Sequence, residues 1–234
     1  MKSSLKNMVV VLFAITAIAA LLVALVNDMT KDAIAASQLA AKNAAKFSVV
    51  GTTPEEATIA RDTTRTIGDF DITVSTVVRA EDNSLIGYAV EAPSITKNGY
   101  ADRITLMVGF VKEGNDVIVS SVEVLSQKET PGLGANMMNE GNSLERSVVG
   151  KVAAELIFAV TKEGGSFDAL TGSTISSRAY ANAVETAYAG YLWATGALDT
   201  SEEAIEEAME DAPTGASMTN DWEPEAQEGD MSNE

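Results

Sequence analysis

The most apolar part of the chain is an uninterrupted run near its N-terminus. Met8–Val26 is 19 residues long and contains a single polar side chain, Thr16. An α-helix of that length spans about 30 Å, which is the thickness of the hydrocarbon core of a bilayer. The sequence therefore predicts an N-terminal stub and transmembrane anchor in residues 1–28, membrane-embedded through residues 8–26.

A cleaved signal peptide is the alternative interpretation, because Ala33-Ile34-Ala35 has the small-x-small pattern of a cleavage site. Signal-peptide hydrophobic regions are about 7–15 residues long, however, and this site lies well beyond the apolar run. We therefore favour a retained single-pass anchor. The short segment before the run favours a cytoplasmic N-terminus and a body outside, although the lysines on the two sides nearly balance.

Beyond the anchor, the chain changes from helical composition to β-type alternation. Residues 29–50 are rich in Ala, Lys and Gln, which predicts a helical stalk that Gly51-Thr52-Thr53-Pro54 ends. Two pairs of β-branched runs follow, and each pair is joined by a hairpin-type connector, residues 81–84 and 112–115. The predicted strands are Asp71–Ala80, Leu85–Ala92, Arg103–Val111 and Asp116–Leu125. The pattern predicts an α+β fold for residues 51–198: a twisted antiparallel sheet packed with helices.

A loop rich in glycine comes directly after the last of these strands. Its sequence is Glu129-Thr130-Pro131-Gly132-Leu133-Gly134. Pro131 fixes φ, and the two glycines permit backbone conformations that leave N–H groups free and let a ligand approach closely. A simple turn would explain the loop equally well.

A second segment combines hydroxyl side chains with a predicted helix start. After Asp168 it contains Thr171, Gly172, Ser173 and Thr174, followed by Ser176 and Ser177. From Ile175 onward apolar residues recur at three- and four-residue spacing, so Thr174 lies at or near a helix N-terminus, where free N–H groups favour an anion. Arg178 is positioned to add a charge-assisted contact. A capped helix in a Ser/Thr-rich turn is the alternative.

The composition excludes several classes of site. The chain has no cysteine and no histidine, so it has no protein-ligated iron–sulfur cluster, no ordinary zinc site and no Ser-His or Cys-His nucleophile. Redox chemistry here requires a borrowed cofactor. The net charge of −18 gives no basic footprint, which argues against nucleic acid as a partner.

The charge is concentrated in the C-terminal segment, residues 199–234. It contains 13 acidic residues and no basic one, which leaves −5 for the rest of the chain. Low hydrophobicity and charge of one sign predict an acidic, disordered tail, with a short capped helix possible over Ser201–Asp211. A solvated tail is the simplest interpretation, and an interaction with a partner or with cations is the alternative.

The two candidate segments, together with a lone N-terminal anchor, resemble a specific family. The pair Glu129–Ala135 and Asp168–Thr174 is similar to that in the periplasmic FMN-binding subunits of Rnf and of Na⁺-translocating NADH:quinone reductase complexes, and more narrowly in the Rnf G subunit. The resemblance covers about residues 1–196. It departs at Ser173, where the family usually has alanine, and at Gln127, where Rnf relatives often have histidine.

The resemblance implies an FMN-binding domain in residues 51–198, with a flavin transferase joining the FMN phosphate to Thr174 by a phosphoester. Asp168, Thr171 and Gly172 match the motif that this transferase recognises. The remaining implied flavin-site residues are Ser173, Ser176, Ser177, Glu129, Thr130, Pro131, Gly132, Leu133 and Gly134.

The function that follows is a membrane-anchored electron carrier, a component of an ion-translocating Rnf-type oxidoreductase rather than a free-standing enzyme. Its partners would be the other membrane subunits, and its soluble domain would lie on the periplasmic side of the inner membrane. A solitary extracytoplasmic flavoprotein and a non-redox anchored interaction module are the alternatives. Tyr88, Tyr100, Phe110 and Tyr180 are possible stacking partners for the flavin, although such aromatics are more often core residues.

Overall fold

The computed structural model describes residues 5–67, 69–96 and 104–197. The acidic segment from Asp199 onward and Tyr100 lie outside the described residues. Short 3-10 helices occur at Gly134–Met138, Ala153–Glu155 and Thr161–Glu163. The main elements are helix α1 (Leu5–Ser48), strands β1 (Ala57–Ile67), β2 (Phe70–Arg79), β3 (Leu85–Pro93), β4 (Ile104–Glu113) and β5 (Asp116–Gln127), and helices α2 (Ser143–Val148) and α3 (Thr174–Thr195).

The five strands form one antiparallel sheet in which each strand pairs with the next along the chain. Both predicted connectors are tight turns, with a positive φ at Asn83 in the first and at Gly114 in the second. The predicted α+β fold, an antiparallel sheet packed with helices, is confirmed. Strand β1 was missing from the prediction, because its sequence places Arg61, Asp62 and Arg65 among threonines in the way that exposed loops do.

The sheet is covered on both faces. On one face, α3 packs over β2, β3 and β4 and forms the larger core with Phe110, Leu106 and Tyr180, all buried. The other face receives the end of α1 and the turn that follows it, where Ala45, Val49 and Val50 pack in the same buried cluster as Met107 of β4. Because both faces are buried, β4 is an almost continuous apolar run instead of an alternating one.

Helix α1 is apolar and exposed through its first half and attached to the sheet at its end. It is long and apolar enough to cross a membrane. Near its end, Lys42 forms an ion pair with Glu91 on β3, and Lys46 forms one with Asp62 on β1, with 2.9 Å between Lys46 Nζ and Asp62 Oδ2. Burial raises the pKa of Asp62, but the nearby Ser75 hydroxyl and the ammonium of Lys46 outweigh it, so the net pKa is below its ordinary value.

The last two turns of α1 run antiparallel to β3. Lys42 contacts Glu91, whereas the side chain of Val50 lies against Gly87. Eight helical residues advance about 12 Å, which matches the roughly 13 Å that four strand residues cover. The apolar part of α1 therefore approaches the sheet from the end where β3 finishes and β4 begins.

Helix α3 runs in the same direction on the opposite face. Two turns into α3, Asn182 Oδ1 accepts a hydrogen bond from Ile95 N at 2.8 Å, just beyond β3. Eight residues later, Gly190 lies against Val90 and Ile72, in the interior of the sheet. The N-terminus of α3 therefore projects beyond the same end of the sheet from which α1 arrives.

Glu185 on α3 makes the stability of this packing depend on pH. Burial raises the pKa of Glu185 to about 7, even though a hydrogen bond from Asn182 acts in the opposite direction. The neutral form is favoured in the folded state, so its stabilising effect is complete below pH 4.5 and is lost as the pH rises through 7.

We expect Glu185→Gln to be about 1–3 kcal/mol more stable than wild type at pH 8 and nearly equal to it at pH 5, because glutamine carries no charge to desolvate. Denaturant unfolding of the detergent-solubilised full chain at the two pH values measures this. Glu113→Gln, at an exposed position at the end of β4, is the matched control. An equal difference between Glu185→Gln and wild type at both pH values would contradict the assignment.

Candidate functional site

Helix α3 begins at Thr174, as the periodicity of the sequence predicts. The chain enters it through a turn in which Ser173 N donates to Leu170 O at 3.1 Å, and the first helical bond runs from Ser177 N to Ser173 O. Ser173 is the N-cap residue, but its side chain makes no capping hydrogen bond. The first N–H groups of α3 have no acceptor within the helix, and they point away from the body of the helix at its N-terminal end.

The glycine-rich loop after β5 is a compact turn. Leu133 N and Ala135 N both donate to Thr130 O, at 3.1 and 3.2 Å. Gly132 has φ +78°, a conformation that side-chain-bearing residues rarely adopt. Thr130, Pro131 and Gly132 are exposed as a result.

The structure brings the two predicted segments together, although they are more than thirty residues apart in sequence. Ser176 Oγ, on the first turn of α3, donates to Glu129 Oε2 at 2.8 Å. A Cβ placed on Gly134 would lie 2.5 Å from Ser176 Oγ and 2.9 Å from Glu129 Oε2, so only glycine fits between them. Leu133 lies beside Gly172, since a Cβ added to Gly172 would be 3.5 Å from Leu133 Cδ2.

Two polar atoms in this site are buried and have no hydrogen-bond partner among the described residues, namely Ser173 Oγ and Glu129 Oε1. Ser173 is only 7% exposed, and its hydroxyl stands next to Thr174, which is partly buried. Leaving a buried polar group unpaired costs about 1–3 kcal/mol. A site that contains two such atoms is suited to a ligand that supplies their partners.

The other predicted site residues either hold the turn together or lie at the surface. Ser177 Oγ is fully buried, donates to Ser173 O at 2.8 Å and accepts from Leu170 N at 3.0 Å, so it holds the turn together. Asp168 N donates to Ser147 Oγ, and the Asp168 side chain borders an open cavity of about 440 Å³ beside Arg146 and Lys151. Thr171 is exposed.

Arg178 does not face the helix N-terminus as an anion ligand would require. Its guanidinium forms an ion pair with Glu163, with Arg178 Nε 2.8 Å from Glu163 Oε1. The pairing fastens the short helix at Thr161–Glu163 to α3.

The candidate stacking aromatics belong to the core. Tyr88 and Phe110 pack against Tyr191, with ring centroids 5.2 and 5.3 Å apart, and Tyr180 is fully buried. Two exposed apolar side chains lie closer to Thr174 instead: Leu133, 45% exposed, and Ile175, 37% exposed. The helical pattern assigned Ile175 to the apolar face, and only its position next to Thr174 could have indicated another role.

The residues present fit FMN. Its phosphate matches the free N–H groups at the start of α3 and the hydroxyl of Ser173. The side chains of Leu133 and Ile175 offer apolar surface to its ring, and Glu129 Oε1 offers an acceptor to its hydroxyl or imide donors.

Comparison with known proteins identifies similar chains. The family model described as the FMN-binding domain matches residues 99–189. The G subunit of an ion-translocating oxidoreductase complex from Shewanella amazonensis is 32% identical over 195 residues, which cover 78% of this chain and 86% of the relative. The G subunit of the Na⁺-translocating ferredoxin:NAD⁺ oxidoreductase complex from Acetobacterium woodii is 28% identical over 74% of this chain and 85% of the relative.

A relative from Aliivibrio fischeri has a higher sequence identity over a shorter stretch of this chain. The G subunit of its ion-translocating oxidoreductase complex is 39% identical over 104 residues, which cover 43% of this chain. In that match and in the similar one to Shewanella baltica, this chain spans about half the length of the relative, 47% in each.

The close approach at Gly134 predicts that Gly134→Ala destabilises the protein by about 1–3 kcal/mol, because the added methyl group overlaps Ser176 and Glu129. Denaturant unfolding measures the loss. The double variant Gly134→Ala/Ser176→Ala should recover part of it, since removing the hydroxyl makes room. A Gly134→Ala protein as stable as wild type would show that the two segments are not packed in this way.

Proposed function

This chain belongs to the family of G subunits of ion-translocating oxidoreductase complexes, and on that premise we propose that it is a membrane-anchored electron carrier that holds one FMN. The carrier would pass electrons between other membrane subunits of an Rnf-type complex, as a component of the oxidoreductase. The observation that carries the proposal is the junction of the Glu129–Gly134 loop with the start of α3, where two buried polar atoms, Ser173 Oγ and Glu129 Oε1, have no hydrogen-bond partner in the part of the chain that the structure describes.

The residues of this junction would each contribute one physical property. The N–H groups of α3 and the Ser173 hydroxyl bind the phosphate, and the positive end of the helix dipole stabilises its charge. The exposed loop residues Thr130, Pro131 and Gly132 let the backbone approach the cofactor closely. When bound, FMN would supply the capacity to accept and release electrons, and the chain has no cysteine or histidine with which to ligate an iron–sulfur cluster instead.

We further propose that the attachment is covalent, through a phosphoester between Thr174 Oγ1 and the FMN phosphate made by a flavin transferase. Thr174 is the first residue of α3, so its hydroxyl lies where the helix dipole stabilises a phosphate. The hydroxyls of Ser176 and Ser177 are committed to hydrogen bonds inside the protein. Asp168 and Thr171 are exposed, as recognition by a second protein requires.

The direction of the two helices supports a position for the flavin near the membrane. Both α1 and α3 extend toward their N-termini beyond the same end of the sheet. Asn182 contacts that end, and Thr174 lies about 12 Å before Asn182 along α3. Some 16 residues of α1, about 24 Å, separate Lys42 from the end of the apolar run. Thr174 would therefore lie between the sheet and the membrane, facing the other membrane subunits.

We propose the domain organisation that the sequence pattern and the family resemblance predict. Residues 1–28 are the stub and anchor, residues 29–50 are the stalk, residues 51–198 are the FMN-binding domain, and residues 199–234 are the acidic tail. The soluble domain would lie on the periplasmic side of the inner membrane.

Replacement of Thr174 tests the covalent attachment. We expect wild-type protein from cells that contain the transferase to give a fluorescent band under ultraviolet light after denaturing electrophoresis, and Thr174→Ala to give none. Thr195→Ala, which removes a threonine hydroxyl at the far end of α3, should keep full fluorescence. Fluorescence that persists in Thr174→Ala would place the flavin elsewhere.

The absence of cysteine allows a direct test of topology. A single cysteine at Asn115, exposed in the β4–β5 turn, should react with a membrane-impermeant maleimide in cells whose periplasm is accessible. A cysteine at Ser4, before the apolar run, should react only after the inner membrane is lysed. The opposite pattern of labelling would contradict a periplasmic domain.

A further inference from the structure

The side chain of Glu129 is held by one hydrogen bond and by close packing, and its backbone is anchored as well. Ser176 Oγ donates to Glu129 Oε2 at 2.8 Å, and the backbone N–H of Glu129 donates to Gln127 Oε1 at 2.6 Å. Gly134 packs against the same side chain, since a Cβ added to Gly134 would lie 2.9 Å from both Glu129 Cβ and Glu129 Oε2. The side chain is therefore fixed before any ligand arrives.

Only one of its two oxygens is used. Oε2 accepts from Ser176, whereas Oε1 is buried and has no hydrogen-bond partner among the described residues. A carboxylate accepts hydrogen bonds and donates none. The group that satisfies Oε1 must therefore be a hydrogen-bond donor.

The phosphate of FMN does not meet this requirement. Its oxygens are acceptors, and two negative groups at hydrogen-bond distance repel each other. Thr174 and Ser176 are two residues apart on α3, so their side chains point to nearly opposite sides of the helix. A phosphate on Thr174 and the carboxylate held by Ser176 are thus kept apart around the helix end, and the dipole stabilises both.

We propose that Ser176 is a positioning residue, which holds Glu129 so that Oε1 accepts a hydrogen bond from the ring imide N–H of FMN. This inference rests on the proposed function. It implies a direction for the cofactor: Thr174 would hold the phosphate, and Glu129, on the other side of the helix end, would hold the ring. The negative charge of Glu129 then lies beside the group that gains electrons and disfavours its reduction.

The test is the midpoint potential of the flavin, measured by spectroelectrochemical titration of the full flavinylated chain in detergent. We expect Glu129→Gln to shift the potential to more positive values, because it removes the negative charge and keeps the shape. Ser176→Ala should shift the potential in the same direction by a smaller amount, because the carboxylate remains but is no longer held in place. The double variant should shift no further than Glu129→Gln alone, since Ser176 acts through Glu129.

Thr186→Ala is the matched control, because Thr186 is also a buried hydroxyl on α3 but donates to Asn182 O within the helix. Its potential should equal that of wild type. An unchanged potential in flavin-bearing Glu129→Gln, or shifts that add in the double variant, would overturn the inference. If Glu129→Gln carries no flavin, Ser176→Ala decides, and an unshifted potential there overturns it as well. A wild-type chain without flavin would instead refute the proposed function.

Discussion

The packing of α3 across one face of the sheet is the contact on which the candidate site depends. At Gly190 the helix lies so close to the sheet that a Cβ would be 2.7 Å from Ile72 Cγ2. This close approach, together with Asn182 at the sheet end, sets how far α3 projects and which way its first turn faces. A shift of one residue would rotate Ser176 by about 100° away from Glu129. The geometry at the start of the helix is thus determined by contacts about 12 and 24 Å away along it.

The opposite face of the sheet determines where that site points. The ion pairs of Lys42 and Lys46 and the burial of Val49 attach the end of α1 to the sheet in a fixed direction. Because α1 continues as one helix from its apolar run into this attachment, the sheet is carried without a flexible linker. The sheet thereby connects α1 and α3, which run in the same direction on its two faces. The apolar run of α1 and Thr174 of α3 therefore lie toward the same end of the sheet. This arrangement supports the proposed position of the flavin between the sheet and the membrane.

Much of the fold could be predicted from the sequence, because its signals are local. The two hairpins have turn residues between alternating runs, and α3 has both its period and a start at Thr174. Strand β1 could not be predicted in this way, since its charged residues are explained only by pairing along the sheet edge, where Asp62 meets Lys46. Arg178 shows the same limitation: its position next to the hydroxyl-rich turn suggested an anion ligand, and only the folded chain pairs it with Glu163.

The site itself was predictable as two motifs but not as one contact. Neither Ser176 nor Glu129 carries a signal that they meet, because 47 residues separate them. The unpaired oxygens likewise appear only after burial is known. Family resemblance supplied the link between the motifs, and the structure supplies its physical form: a glycine that lets a carboxylate reach the first turn of a helix.

The most direct measurement of the central claim is the mass of one peptide. Trypsin cleaves after Lys162 and Arg178, and the peptide between them contains Thr174 and the other hydroxyls of the motif. In protein from cells that contain the flavin transferase, fragmentation should place the added mass of an FMN phosphoester on Thr174. An unmodified peptide from those cells, or the same mass on another residue, would contradict covalent attachment at Thr174.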